Sequence, residues 1–347
     1  MVETMLAGRL DFATLNFAVE EVPIPQPARG ELLIAVRAAG VCLSDLHLID
    51  GTLALAAEGK VTLGHEVAGT IAAAGTEVPG ELTVGQRVVL QAGQTCGACG
   101  NCARRRPCLN VHVRGVHYDG GWAQYALARY DTVVPIPDDM PFDQAAIIPD
   151  AVSTPYAAVV ATAQVRPAQS AGVWGVGGLG AHGIQVLRLS GAAPIIAVDP
   201  LPAARERALR FGADLALDPG ADDLAATVLA ATRGQGLDFA FDFAGVDAVR
   251  EQAVATLGLH GALVLVGLAA EPLTVHDSVA FSRREQKLLG HFGSAPEHVE
   301  ELVALARHHR VDFTKSVSAH IKLANADQAV QQLADKTDNP IRLVLIP

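Results

Sequence analysis

The sequence predicts an α/β protein of two domains, a β-rich region followed by a doubly wound parallel-sheet domain. Three observations carry this expectation. The chain has 347 residues, a length that suits two domains. Between 151 and 291, apolar strands alternate with helices of ten or more residues. One of those strand–helix junctions is a glycine-rich turn.

In residues 1–150, short runs such as ELLIAVRAAG, HEVAGTIAAAG and GQRVVLQAG are punctuated by Gly and Pro, the texture of half-buried strands. From 151 the pattern changes. AGVWGVG leads into LGAHGIQVLRLSG, and PIIAVD into PLPAARERALRFGA. LALD, LDFAFDFAG and ALVLVGL continue the series. These strands are nearly all apolar, as expected where helices cover both faces of a parallel sheet. From 292 onward the sequence offers an amphipathic helix, PEHVEELVALARHH, and a closing strand, IRLVLIP.

Half the residues are hydrophobic and 18% are charged, a balance that builds cores and does not suit a disordered chain. The formal net charge of −11 repels phosphate backbones and argues against a nucleic-acid partner. No basic start followed by an apolar run opens the chain, and no run reaches the roughly 18 apolar residues of a membrane helix. A cytoplasmic location without membrane contact is therefore expected. Of five cysteines, four crowd into one segment, which points to metal binding rather than to a disulfide framework.

The turn Gly175-Val176-Gly177-Gly178-Leu179-Gly180 follows a strand and opens a helix. In that context Gly175 permits a tight turn, Gly177 admits a pyrophosphate to the backbone, and Gly180 lets helix and strand approach. The helix N-terminus then faces the phosphates with its positive end. Asp199 ends the next strand, where a carboxylate accepts hydrogen bonds from an adenosine ribose and repels a 2′-phosphate. With no Arg immediately following, NAD is expected rather than NADP. Leu179, Val266 and Leu268 join the expected cofactor-binding set. The competing reading is a glycine-rich turn of an unrelated α/β fold.

Cys96, Cys99, Cys102 and Cys108 are close enough in sequence for one loop, about 93–112, to wrap a tetrahedral zinc. Four thiolates leave no open position, so that zinc would be structural. Four cysteines also suit an iron–sulfur cluster or free thiols. Arg104, Arg105 and Arg106 read as a solvated loop face.

Cys42 lies in Cys42-Leu43-Ser44-Asp45-Leu46-His47, and His65 in Gly64-His65-Glu66. Taken singly, Cys42 reads as a small buried hydrophobe and His65 as a hydrogen-bonded core histidine. Taken in order with the cysteine lobe and the glycine-rich turn, they resemble the zinc-dependent medium-chain alcohol dehydrogenase family. The resemblance runs from GELLIAVRAAGVC to IRLVLIP. Within the family it is nearest to bacterial secondary-alcohol and hydroxyacyl-type dehydrogenases.

The resemblance implies a GroES-like catalytic domain, 1–150 and 292–347, and a Rossmann coenzyme domain, 151–291. It implies two zinc ions per chain and a homodimer or homotetramer. Cys42, His65 and Asp150 match the catalytic zinc ligands, although many members have Cys where Asp150 stands; a helix cap is the other reading of Asp150. Carboxylate oxygen is an accepted zinc ligand. Glu66 resembles a glutamate that approaches the metal. Ser44 and His47 match a proton relay running through the nicotinamide ribose, with Asp45 holding His65 from behind. Arg342 resembles an arginine that reaches the cofactor pyrophosphate, and Trp122 falls where a substrate-pocket aromatic is common. Surface charge and ordinary core are the plain alternatives for these two. The last cysteine gap is shorter than in typical members.

The function implied is hydride transfer between a small-molecule alcohol or carbonyl compound and NAD. A polyol or hydroxyacyl-thioester dehydrogenase keeps the fold and changes the substrate. A non-catalytic, nucleotide-sensing zinc protein is the alternative from another class.

Overall fold

The computed structural model describes residues 3–53, 59–106, 108–269 and 271–347. The chain divides into two units, Met1–Asp150 with Pro296–Pro347, and Ala151–Ala295. The second unit thus ends at Ala295 rather than at 291. The helix Pro296–Arg307 buries Val299, Leu302 and Val303 and belongs to the first unit.

The first unit is built on a seven-stranded sheet. Its order is Val133–Pro135, Arg87–Leu90, Val67–Ala74, Glu31–Val41, Arg342–Ile346 and Val317–Lys322, with Tyr125–Arg129 also pairing Glu31–Val41. The central strand, Glu31–Val41, pairs antiparallel with Val67–Ala74 on one side and with Arg342–Ile346 on the other. Leu32, Ile34, Val36, Ala39 and Val41 pack with Val67, Ile71, Val88, Leu90, Leu343 and Leu345 in one core. Each large aliphatic side chain so buried contributes about 1.5–3 kcal/mol. The antiparallel register sets Leu343 opposite Val41, which carries Arg342 and Cys42 to the same corner of the sheet.

The second unit holds six parallel strands, ordered Leu215–Leu217, Ile195–Val198, Ala171–Trp174, Leu237–Asp242, Leu257–Leu265 and Lys287–Gly290. Chain order runs outward in both directions from Ala171–Trp174. The reversal therefore falls between that strand and Leu237–Asp242, the point at which a doubly wound sheet opens to a dinucleotide. No described helix is long and apolar enough to cross a membrane.

Candidate metal centres and nucleotide site

Cys42 caps the N-terminus of the helix Leu43–Ile49. Asp45, one turn in and wholly buried, accepts the Cys42 backbone N–H through Oδ2 at 2.9 Å. Its Oδ1 lies 3.5 Å from His65 Nδ1. One carboxylate thus sets both the main chain of Cys42 and the ring of His65, turning His65 Nε2 the other way. That nitrogen lies 3.4 Å from Asp150 Oδ2, which lies 3.2 Å from Cys42 Sγ. Asp150 arrives on a π-helical turn, Ile148–Val152, a distortion of the ordinary helix that is frequent where a side chain must be re-aimed.

The donor atoms of Cys42, His65, Glu66 and Asp150 all lie within 4.8 Å of one another. Ligands of a tetrahedral zinc at about 2.0–2.3 Å stand roughly 3.3–3.8 Å apart. The contacts of Asp150 with Cys42 and His65 match or slightly undercut that spacing, and sulfur, imidazole and carboxylate are its usual donors. The residues therefore fit the ion.

Glu66 is fully buried and its Oε1 pairs with Arg342 at 2.9 Å. Burial pushes its carboxyl up to about 7 although Arg342 pulls the other way. Burial works against the charge on Arg342, but Glu66, Cys42 and Asp150 outweigh it and hold the guanidinium charged. The Arg342 fork is 4% exposed and also approaches Asp150 at 3.4 Å and Cys42 at 3.7 Å. The strand register thus delivers Arg342 to this cluster, where its partner is Glu66.

Ser44 and His47 are both half-buried on the same helix, three residues apart and so on one face. Ser44 Oγ lies 3.5 Å from Cys42 Sγ. Trp122 departs from the expectation of a pocket aromatic. It is 0% exposed, donates its indole N–H to the Gly40 carbonyl at 3.0 Å and meets Phe17 edge-on at 5.7 Å. It is core, with no face left for a substrate.

Cys96, Cys99, Cys102 and Cys108 form the other cluster. Their sulfurs lie 3.4 Å (99–102), 3.5 Å (96–108), 3.9 Å (96–102) and 4.0 Å (99–108) apart. Four thiolates on a zinc at about 2.3 Å have edges near 3.8 Å, so this set fits as well. The short strands Gly93–Gln94 and His112–Val113 pair to close the base of the loop. Backbone N–H groups of Leu109 and Cys102 point at Cys99 and draw its thiol down to about 6, towards the thiolate a metal requires. The segment's Pro107 lies outside the described residues.

In the second unit the glycine-rich turn joins the strand Ala171–Trp174 to the helix Gly178–Leu189, capped by Gly177. Gly175 has φ +87°. A Cβ on Gly180 would sit 1.8 Å from the Gly175 carbonyl oxygen, whereas one on Gly177 would meet nothing within 4 Å. Gly175 and Gly180 are thus required by the conformation and packing of the turn, and Gly177 leaves open space beside it. Leu179 is half-buried.

Asp199 ends the next strand, 8% exposed. Its Oδ2 accepts from Val176 N at 2.8 Å and its Oδ1 from Leu201 N at 2.9 Å. The carboxylate thus braces the glycine turn itself, and each oxygen keeps a second lone pair. Sequence reasoning missed two arginines here. Arg205 Nη1 donates to the Asp199 and Pro200 carbonyls and pairs with Asp218 at 2.9 Å; Arg207 Nε donates to the Val176 carbonyl at 3.1 Å. Both lie on the helix Pro202–Arg210, but two residues apart they share no helical face, so spacing gives no signal for the pair. Of the two later candidates, Val266 is buried, and Leu268 is 51% exposed.

Known proteins bear on both units. The alcohol dehydrogenase GroES-like domain family matches residues 28–138, and the zinc-binding dehydrogenase family matches 178–308. The NDMA-dependent alcohol dehydrogenase of Amycolatopsis methanolica is 33% identical over 360 residues, covering 95% of each chain. A Sinorhizobium meliloti structure, named as a zinc-binding dehydrogenase bound to NADP, superposes with TM-score 0.91 at 26% identity, over 99% of this chain and 100% of that one. Acetophenone reductase of Geotrichum candidum, in complex with NAD, gives TM-score 0.87 at 28% identity, over 100% and 98%.

Proposed function

Because the chain belongs to the zinc-dependent medium-chain dehydrogenase/reductase family, as an oxidoreductase acting on alcohols with a nucleotide cofactor, we propose that it is an NAD-linked alcohol dehydrogenase and carbonyl reductase. The observation that carries this reading is the meeting of Cys42, His65 and Asp150, with Asp45 bracing two of them. The first unit acts as the catalytic domain and the second as the coenzyme domain. A zinc held by Cys42, His65 and Asp150 supplies Lewis acidity to an alcohol or carbonyl oxygen. NAD, held along the glycine turn and Asp199, supplies the hydride acceptor.

The chain's own share is orientation and proton movement. Asp45 fixes the ring of His65, so that Nε2 is the free donor. Glu66 and Arg342 keep a compensated charge pair at the rear of the site. Ser44 takes the proton of the alcohol, and His47, one turn along the same helix, passes it to solvent. Replacing Ser44 with Ala lowers kcat on the order of 10²-fold, the usual worth of a positioned acid–base group. NAD affinity stays unchanged in a fluorescence titration. Undiminished turnover would remove Ser44 from the relay.

Metal analysis is expected to return two zinc ions per chain. Cys42→Ala lowers the content by one and abolishes turnover. Cys99→Ala also lowers it by one, with loss of stability in the lobe. A wild-type content of one or none contradicts the assignment of two sites.

The NADP-bound neighbour, with Arg205 and Arg207 beside Asp199, makes the choice of nucleotide a point to measure. Asp199→Ala is expected to weaken NAD by about tenfold, one charge-assisted hydrogen bond, and to leave NADP within twofold. Equal losses would assign Asp199 to bracing the turn alone. The direct test of the function is NADH absorbance over a panel of secondary alcohols, polyols and hydroxyacyl thioesters, with and without chelator. Nucleotide binding without turnover on any of them would favour a sensing protein instead. Equilibrium sedimentation tests the homodimer or homotetramer expected of this family.

A further inference from the structure

Resting on the reading of Ala151–Ala295 as a dinucleotide domain, we infer that the buried pair Asp242–Arg250 is a positioning device for the nicotinamide half of the cofactor. The glycine turn and Asp199 lie on one side of the strand-order reversal, where they serve the adenosine half. The loops that follow Leu237–Asp242 and Leu257–Leu265 lie on the other side. Asp242 ends the first of these strands and is 0% exposed. Its Oδ1 accepts from Ala244 N at 2.9 Å and Gly245 N at 2.8 Å, which shapes the loop after its own strand.

Its Oδ2 accepts from Arg250 Nε at 2.8 Å, and Arg250 Nη2 donates to the Gly267 carbonyl at 2.8 Å. The Asp242 carbonyl in turn accepts from Val266 N at 3.0 Å and Gly267 N at 2.7 Å. Two residues therefore tie both loops together. The loops touch backbone to backbone, since a Cβ on Gly267 would lie 2.4 Å from Gly245 N. The same hub reaches the glycine turn, where a Cβ on Gly175 would come within 3.0 Å of Ala244 N.

Stability alone does not call for a charge pair here. A buried ion pair is often no more stabilising than apolar residues of the same volume. What an apolar pair cannot do is hold, through its side chains, the Ala244 and Gly245 N–H groups and the Gly267 carbonyl of two loops at fixed positions. The guanidinium fork suits this, because its separate nitrogens reach Asp242 and Gly267 at once; an ammonium reaches one.

The test uses the full chain with Arg250→Lys and Asp242→Asn, reading calorimetric affinities for AMP and NAD, KM and kcat, and the melting temperature. Each folded variant is expected to bind AMP within twofold of wild type and NAD about tenfold more weakly, with KM for NAD rising by a similar factor. Equal weakening of AMP and NAD, or no change in either, would overturn the positioning role. If Arg250→Lys does not fold, Asp242→Asn is judged by the same ratio. If neither folds, the pair is a folding element and the inference fails. Wild-type protein that binds neither AMP nor NAD would instead refute the nucleotide reading beneath it.

Discussion

His65→Ala is expected to lower kcat/KM by about 10³-fold or more while NAD still binds with wild-type affinity. A Lewis-acidic cation contributes several kcal/mol to a developing charge on oxygen, and each 1.36 kcal/mol is tenfold in rate. The loss is large because the site has little redundancy. His65 is the one imidazole among the four donors that converge there, and Asp45 holds it by its other nitrogen. The remaining donors, Cys42, Glu66 and Asp150, would crowd three acidic groups around Arg342 with no neutral partner. Dialysis against a strong chelator should reproduce the loss, and added zinc should reverse it in wild type and not in His65→Ala. Retained turnover in metal-free protein would sink the assignment of the site. Retained turnover in the variant with one zinc fewer would move the chemistry elsewhere.

The two units differ in how much of them is legible in sequence. The parallel-sheet unit announces itself through local order: a strand, a glycine turn and a helix run from Ala171 to Leu189, with Asp199 shortly after. The cysteine lobe is equally local. The catalytic cluster is not, because its members are 42, 65, 66, 150 and 342, and only the folded sheet brings them together. Arg342 and Cys42 are 300 residues apart in sequence, yet the pairing of Leu343 with Val41 makes them neighbours. No periodicity encodes that register, so the pairing of Arg342 with Glu66 is not readable from sequence. Trp122, expected in a pocket, is buried. An aromatic after two glycines reads the same whether it lines a cavity or fills a core, and the glycine that makes room for the indole is Gly64, far off in sequence, where a Cβ would lie 2.1 Å from the ring. The helix at Pro296 shows an apolar face in sequence, but amphipathicity does not say which unit that face covers. Asp242 carries no signal in sequence, since its partner Arg250 sits on the next helix.

Gly40→Ala is expected to destabilise the first unit by roughly 3–5 kcal/mol, the cost of breaking a buried charge pair. Gly40 lies in the central strand, directly opposite Val344 of the closing strand. A Cβ there would stand 1.8 Å from Glu66 Oε2 and 2.9 Å from Glu66 Cβ and Cδ. The near atoms include the root of the side chain, so no rotamer of Glu66 clears the methyl while the carboxylate stays on Arg342. Glu66 must withdraw, and Arg342 is left buried among Cys42 and Asp150 without its 2.9 Å partner. For a unit of this size the loss corresponds to a melting temperature lower by on the order of 10 °C. The metal content of the catalytic site should fall as well, because the displaced Glu66 disturbs its sequence neighbour His65. Glu66→Gln separates the two causes. It keeps the shape and removes the charge, so it should cost less than Gly40→Ala and leave the zinc count at two. Scanning calorimetry on both variants, with metal analysis on the same samples, checks the argument. A Gly40→Ala protein that melts within about 2 °C of wild type would show that Glu66 does not fill the space the strand leaves for it.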